Sequence, residues 1–339
     1  MKKLFLFVAC AFVLIGCTES DNTNKKEKTN DVQAVEQMRD DAMKSQDMVI
    51  TDSLDANAYV RRARIYFAEQ QIGNAMRDIN SALSVDGRNL DALLLLADLY
   101  YALGDQDNIM VTLNKATEIA PYDTRPMIKL AELSFLQGNS KMADAYIDKA
   151  LQYGKINPQA YFLRGIICMS NNDTVNAMKN FMISRDQDDE FFDPVIQIAA
   201  IYAAQRNELA RDFYDLAIQM QPENTGVYYE KALYLQDNGY PLEALAIYDT
   251  LDSKMPGNFD VIYNKGYVNL VYLQDYDKAI EYFDNALAVS PNATNALLNK
   301  GIAYEQKGDF IEAKSIYLQI LRNSPNYQLA IDALHRIGD

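Results

Sequence analysis

The same residue types recur eight times along the chain, at intervals of about 34 residues. The first column of this pattern holds small residues: Ala63, Ala97, Ala131, Gly165, Ala199, Ala232, Gly266 and Gly301. About twelve residues later, a second column is almost entirely alanine: Ala75, Ile109, Ala143, Ala177, Ala210, Ala244, Ala279 and Ala313. Four residues further on, a third column is aromatic or branched: Ile79, Leu113, Ile147, Phe181, Tyr214, Tyr248, Phe283 and Tyr317. Five rows then carry a proline: Pro121, Pro222, Pro256, Pro291 and Pro325.

Each row contains two helical patterns joined by a turn signal, such as LGDQ at 103–106 or QKGD at 306–309. Small residues in the first two columns let paired helices approach closely, and the larger third-column side chain fills the gap between rows. We expect the proline to start the next helix. The pattern therefore predicts an array of packed helix pairs.

These rows resemble the tetratricopeptide repeat (TPR) in their period, their small residues and their prolines. The resemblance covers 56–327 and is clearest in the last rows, as in NKGIAYEQKGDF at 299–310. It implies an all-α fold, a right-handed superhelical solenoid of about eight TPR helix pairs. Residues 328–339 are interpreted as a C-terminal capping helix, because a terminal repeat needs a polar outer face. Residues 32–55 are interpreted as a leading helix and linker.

Some rows depart from the family pattern. No row has the tryptophan that is frequent in the family, since the chain contains none. Row four ends in DQDDEFFDP, at 186–194, and has acidic residues where five other rows have proline. Row five lacks one residue in its turn. Row seven has one extra residue near Tyr272. We expect the curvature of the array to change at these rows.

The N-terminus carries a second motif. Two lysines precede an apolar run of twelve residues, from Leu4 to Ile15, which is too short to span a bilayer but has the proportions of a signal-peptide core. The run ends in LIGC, which resembles the lipobox of bacterial lipoproteins. The resemblance implies a signal peptide at 1–16, acylation of Cys17 and a flexible lipidated tether at 17–31. The alternatives are an ordinary secretory signal and an uncleaved anchor.

The lipobox resemblance also implies a location. Thr18 is not the aspartate that retains lipoproteins at the inner membrane of enterobacteria, which favours an outer membrane lipoprotein facing the periplasm or the cell surface. The acyl chains would be its only membrane contact. Nucleic acid is an unsuitable partner, because 47 acidic side chains outnumber 32 basic ones.

A search for catalytic or metal-binding chemistry finds little. His335 is the only histidine, and Cys168 is the only thiol expected to remain free after processing and acylation. Cys168 is expected to be a small buried hydrophobe, and it has no nearby base to form a nucleophile pair. The acidic run at 186–193 lacks the spacing of a known calcium loop, so a solvated turn is favoured over a metal site. We therefore predict a non-enzyme with no cofactor, no metal and no catalytic residue.

The remaining candidate is a surface. In the TPR family the first helix of each pair lines the concave side, and ligands contact its second, fifth, ninth, twelfth and thirteenth positions. On this sequence those positions predict an aromatic partner-binding groove of Phe67, Tyr101, Phe135, Met169, Tyr229, Tyr263 and Tyr267. Packing of these side chains within the array is an equally weighted alternative. The lysine and asparagine clamp that chaperone-binding members use is missing from the corresponding positions.

Two functions fit these features. The first is a lipid-anchored scaffold of the cell envelope, which recruits or assembles envelope, secretion or surface machinery by binding protein or peptide partners in the groove. The second is an envelope lipoprotein that binds a small ligand or a glycan. The first is preferred, because a repeat array offers an extended surface and not a closed pocket.

Overall fold

The computed structural model describes residues 55–338, which form seventeen α-helices and one π-helical turn. Row one comprises α1 (Ala56–Ala68) and α2 (Ile72–Val85), row two α3 (Leu90–Ala102) and α4 (Gln106–Ile119), row three α5 (Thr124–Leu136) and α6 (Ser140–Tyr153), and row four α7 (Pro158–Ser170) and α8 (Thr174–Gln187). Row five comprises α9 (Phe192–Ala204) and α10 (Leu209–Met220), row six α11 (Thr225–Asp237) and α12 (Pro241–Lys254), row seven α13 (Phe259–Val268), the π-helical turn (Asn269–Leu273) and α14 (Tyr276–Val289), and row eight α15 (Thr294–Lys307) and α16 (Phe310–Asn323). A last helix, α17 (Gln328–Ile337), follows.

The all-α fold predicted from the repeats is confirmed, with eight helix pairs and a C-terminal helix in the described residues. The helices divide into two compact units. The described part of unit 1 covers 55–119 and holds rows one and two, and unit 2 covers 120–338 and holds rows three to eight and α17. Within the described residues, no helix combines the length and the apolar composition needed to cross a bilayer.

Local sequence signals explain where the helices begin. An asparagine or aspartate precedes most of them and accepts a hydrogen bond from a backbone N–H of the first turn. The Asn89 side chain accepts from the Ala92 amide at 2.9 Å, and the Asp309 side chain accepts from the Glu312 amide at 3.2 Å. These caps satisfy amides that the helix itself leaves without a partner.

The turn within each row requires a left-handed residue. Gly104 and Gly308 take this conformation at φ +72° and +87° in the turns predicted from LGDQ and QKGD. Rows one, four, five and seven place a non-glycine residue there: Gln70, Asn172, Arg206 and Gln274. Several residue types therefore adopt the left-handed conformation that this turn requires.

The expected role of the column prolines was wrong. Pro121 and Pro222 do not stand at the start of the following helix; each lies two residues after the preceding helix has ended and three before the next begins. Proline lacks an amide hydrogen and cannot continue a helix, so here it prevents the second helix from extending. The prolines that do occupy a first helical position are Pro158 and Pro241.

Each pair is held by one close contact between its two helices. The third-column side chain of the second helix is buried against the small first-column residue of the first helix. Glycine occurs only where the partner is an aromatic ring, as in Gly165 with Phe181. Alanine stands opposite the smaller Ile79, Leu113 and Ile147, and also opposite Tyr214 and Tyr248.

The extra residue of row seven forms the π-helical turn, at the end of the first helix. Asn269 is 1% exposed at the start of this turn, and its Nδ2 donates to the Lys265 carbonyl at 2.8 Å. Gln274 then closes the turn in a left-handed conformation. The insertion is thereby absorbed without disturbing the contact between Gly266 and Phe283.

Ion pairs join consecutive rows of unit 2. The seventh residue of a first helix is basic in four rows and pairs with an aspartate of the preceding second helix: Arg164 with Asp148, Lys231 with Asp215, Lys265 with Asp249 and Asp252, and Lys300 with Asp284. Lys265 is 7% exposed and lies 2.8 Å from Asp249 and 3.1 Å from Asp252. The basic side chains of these first helices are therefore directed toward the second helices.

The close helix contact predicts that replacing glycine by alanine has opposite effects on stability at Gly165 and at Gly73. Replacing a helical glycine by alanine normally stabilises a helix by about 1 kcal/mol. In Gly165→Ala, however, the new Cβ would lie 2.6 Å from Cδ1 of the fully buried Phe181 ring. Such overpacking costs about 1–3 kcal/mol, so we expect a lower thermal midpoint in calorimetry.

Gly73→Ala is the matched control, because nothing lies within 4 Å of the Cβ that it would add to α2. We expect its midpoint to stay unchanged or to rise. An equal or higher midpoint for Gly165→Ala would contradict the contact.

Candidate functional site

The free side of the first helices is the candidate site in each unit. First helices of neighbouring rows contact each other, as α1 does with α3 and α5 with α7. The eighth residue of each first helix faces the second helix of its own row. In rows four, six, seven and eight the seventh residue pairs with the preceding second helix, whereas in row one Arg62 pairs with Asp78 of its own second helix. The second, fifth, ninth and twelfth positions lie together on the remaining side by helical periodicity. We call these positions of rows three to eight the first-helix face of unit 2.

Two of the seven predicted groove residues lie in unit 1. Phe67 is half-buried and packs against the core of rows one and two, whereas 46% of Tyr101 is exposed. Between them on the first helices, Arg64 lies 3.8 Å from Asp91. In this unit Tyr101 is the predicted groove ring that is accessible to a partner.

Phe135 and Met169 are placed in rows three and four of unit 2. Both are half-buried. Phe135 packs against the core clusters on both sides of it, and Met169 packs against the cluster around Phe181 and Ile198. For these two side chains the structure provides extensive internal packing.

Two of the other three predicted residues, Tyr263 and Tyr267, belong to a row of stacked rings along α13, and Tyr229 lies on α11. Phe259 stacks on Tyr263 with centroids 5.9 Å apart, and Tyr263 stacks on Tyr267 at 6.4 Å. Tyr267 meets Tyr272 edge to face at 6.3 Å. All four rings are partly exposed, and Tyr272 is 36% exposed. We call these four residues the α13 ring row.

Tyr229 and Tyr263 also connect consecutive first helices. The Asn264 amide donates to the Tyr229 hydroxyl at 2.9 Å, and the Asn299 amide donates to the Tyr263 hydroxyl at 2.7 Å. Burial raises the pKa of both phenols, although the asparagine amides act in the opposite direction. The hydroxyls therefore stay neutral near pH 7 and hold each ring in place on the next row.

Sequence reasoning missed several members of this arrangement. Phe259 and Tyr272 lie outside the positions that the family resemblance supplies, and Asn264 and Asn299 were not considered. Aromatic residues at 259, 263 and 267 are spaced four apart, which was a detectable signal for one helix side. Tyr272 joins them only because the π-helical turn lengthens the helix.

The remaining sequence candidates show no catalytic arrangement. Cys168 is half-buried, less than expected, and burial followed by the nearby Asp173 raises the pKa of its thiol. His335 is exposed in the last turn of α17. Cys17 lies outside the described residues.

The acidic run at 186–193 has local partners. Asp186 pairs with Arg185, and the Asp188 carboxylate accepts from the Glu190 amide at 3.1 Å. Across 55–338 no three or more His, Cys, Asp or Glu side chains are grouped so as to hold a metal ion.

The links between rows yield a stability prediction. Tyr263→Phe keeps the ring but removes the acceptor of the Asn299 amide, and a lost hydrogen bond of this kind costs about 0.5–1.5 kcal/mol. We expect a lower thermal midpoint. Tyr101→Phe is the control, because the structure shows no hydrogen bond for that exposed hydroxyl, and its midpoint should not change. Equal midpoints for the two variants would show that the Tyr263 hydroxyl contributes nothing to the array.

The chain is similar to known repeat proteins. A family model described as tetratricopeptide repeat matches 268–328, and another matches 56–89 and 90–123. "Uncharacterized protein ycf37" of Guillardia theta is 30% identical over 142 residues, which cover 41% of this chain and 74% of that protein.

The chain is also similar to solved structures. The C-terminal part of a TPR repeat-containing protein from Cytophaga hutchinsonii has a TM-score of 0.61 at 17% identity, covering 71% of this chain and 99% of that chain. YrrB, described as a TPR protein with an unusual peptide-binding site, has a TM-score of 0.48 at 24% identity, covering 55% of this chain and 95% of that chain. Tetratricopeptide repeats generally serve as non-catalytic scaffolds for protein–protein interaction. The chain belongs to the tetratricopeptide repeat family.

Proposed function

We propose that the protein is an envelope scaffold that binds a peptide segment of a partner protein on its first-helix face and is anchored by acyl chains on Cys17. The observation that carries the binding part is the α13 ring row. Its four rings are partly exposed, and they contact one another along the free side of one helix.

The physical character of these rings supports peptide binding. Aromatic side chains supply a large contact area and lose little conformational entropy when they are covered. Here the rings are already fixed by stacking and, at Tyr263, by the Asn299 amide. The side chains of this surface are therefore already ordered before a partner binds, so binding costs little further conformational entropy.

The same observation favours an extended ligand over a small enclosed one. Two shallow depressions of the described residues contain no residue of the α13 ring row. One is lined by Glu208, Arg211 and Asp212, the other by Leu318, Leu321 and Arg322, and both open widely to solvent. An exposed row of rings suits a peptide chain, which contacts several rings in sequence.

Photo-crosslinking in cells tests the binding surface. A benzophenone amino acid would replace Tyr101 or Tyr267, which lie in units 1 and 2, and the control would replace Tyr122, whose ring is 74% exposed in the turn before α5. We expect a discrete crosslinked protein from positions 101 and 267 but not from 122.

Two results would overturn the proposal. One is the absence of crosslinks at 101 and 267. The other is the same set of products at all three positions, which would indicate non-specific contact.

The lipid anchor has its own experiment. We expect Cys17→Ser to abolish fatty-acid labelling and to accumulate as unprocessed precursor in membrane fractions. Cys10→Ser is the matched control, since Cys10 lies in the segment proposed to be removed and its change should leave labelling intact. One acyl chain binds membranes only marginally, whereas two or three hold a protein stably.

A Cys17→Ser protein that is still cleaved and still held in the membrane would show that another feature anchors the chain. The outer membrane location is tested by fractionation of the wild-type protein. Protease treatment of intact cells distinguishes the surface from the periplasm.

A further inference from the structure

Acidic and basic residues occupy different positions of the first helices. In rows four to eight, no lysine or arginine occupies the second, fifth, ninth, twelfth or thirteenth position of a first helix. Those positions do include Asp193, Asp237, Asp260 and Glu305. Four basic residues of the same helices stand at the seventh position and pair with aspartates of second helices: Arg164, Lys231, Lys265 and Lys300. The other, Lys307, ends α15 and pairs with Asp277. In rows four to eight this face is therefore negative without a base of its own, whereas in row three Arg125 occupies the second position and pairs with Asp123.

Two of these carboxylates have no partner within the part of the chain that the structure describes. Asp193 is half-buried in the first turn of α9, and no hydrogen bond or ion pair joins it to another described residue. Burial raises the pKa of its carboxyl, with no nearby cation to oppose the effect. Asp260 occupies the same position of α13 and is exposed, also without a hydrogen bond or ion pair among the described residues.

The repeat places each of these carboxylates beside an aromatic ring of the preceding first helix. Asp260 lies one turn before Asn264 on α13, and the Asn264 amide donates to the Tyr229 hydroxyl at 2.9 Å, so the carboxylate lies near that ring. After burial itself, the charge of Asp260 also raises the pKa of the Tyr229 phenol.

The next row has the same arrangement: Asn295 stands at the position of Asp260, and Asn299, one turn later, donates to the hydroxyl of Tyr263, at the position of Tyr229, at 2.7 Å. The second position of one first helix thus adjoins the fifth position of the helix before it. In row five, Phe191 stands two residues before Asp193, and its ring lies 5.3 Å from that of Phe162. By the same repeat relation we expect Asp193 to lie beside Phe162.

A ring next to an unpaired carboxylate suits the side chain of lysine or arginine. The aliphatic part and the cation pack on the ring face, where a cation–π contact contributes about 0.5–1 kcal/mol at an exposed site. The carboxylate then supplies the counter-charge. Glu305 cannot serve in this way, since it already binds Arg336 at 2.6 and 2.8 Å.

We infer that the first-helix face of unit 2 accepts an extended basic segment of the partner protein, with one lysine or arginine at Phe162 and Asp193 and another at Tyr229 and Asp260. This rests on the proposed function and specifies the chemistry of its ligand. The two subsites are two rows apart. Packed helices lie about 8–10 Å apart, so the subsites are separated by roughly 20 Å. An extended chain advances about 3.3 Å per residue, which places the two basic residues about six apart.

Fluorescence anisotropy with labelled synthetic peptides tests this inference, using the full chain in detergent. The probe is a twelve-residue peptide of serine and leucine with two lysines six apart. One comparison peptide has the lysines two apart, and another has glutamates in place of the lysines. We expect the first peptide to bind tightest, the glutamate peptide not to bind, and affinity to fall as salt rises.

The protein variant is Asp193→Asn with Asp260→Asn, for which we expect an affinity about tenfold lower, corresponding to roughly 1.4 kcal/mol. The control is Asp107→Asn with Glu118→Gln, which removes the same charge from exposed positions of α4. Because all four substitutions are isosteric, thermal midpoints should be unchanged. If both double variants bind the peptide equally, overall charge and not these subsites attracts it, and the inference is wrong.

The inference and the proposed function fail differently. If crosslinking at Tyr267 identifies a partner whose recovery the Asp193→Asn and Asp260→Asn changes do not reduce, the proposed function stands and the basic-segment inference is overturned. If no partner is crosslinked at Tyr101 or Tyr267, the proposed function itself fails. A glutamate peptide that binds as well as the lysine peptide would also overturn the inference.

Discussion

The structure depends on one contact repeated eight times, in which a large buried side chain of each second helix rests against a small residue of the first helix. This contact fixes the rotation of both helices, because only one side of the first helix permits so close an approach. Where the large side chain is Phe181 or Phe283, the small residue is glycine, and the ring occupies the space that a Cβ would need. Once the rotation is fixed, the sides of the first helix that meet other helices are fixed as well. The positions on its remaining side form the first-helix face.

The same rotation separates the charges. In row seven the seventh position meets the preceding second helix, and there Lys265 lies buried between Asp249 and Asp252. Burying such a pair costs desolvation energy that the attraction only partly returns, so the pairs are weak evidence for added stability. Their clearer effect is on the surface. Bases are held between rows, while Asp193 and Asp260 stay on the side where a partner would bind.

The repeat pattern was sufficient to predict the helix pairs, their turns and their inner contacts, because these depend on spacing along a single row. Features that depend on two rows were not predictable in the same way. The hydrogen bond from Asn264 to Tyr229 joins residues 35 apart, and neither residue type alone indicates it. The sequence showed that row seven has one extra residue. It did not show how the fold accommodates that residue, since a longer turn would have done so equally well. Only the π-helical turn brings Tyr272 onto Tyr267.

Tyr229 and Tyr263 serve both the array and the proposed ligand. Their hydroxyls accept hydrogen bonds from the next row, while their rings are partly exposed beside the carboxylate or amide of that row. A peptide lying on these rings would remove water from the same hydrogen bonds, and a hydrogen bond is electrostatically stronger where the local dielectric constant is lower. Binding on this face would therefore strengthen the links between rows six, seven and eight. In a repeat array, where stability is largely a sum of contacts between neighbours, that effect would stay local to the rows that the ligand covers.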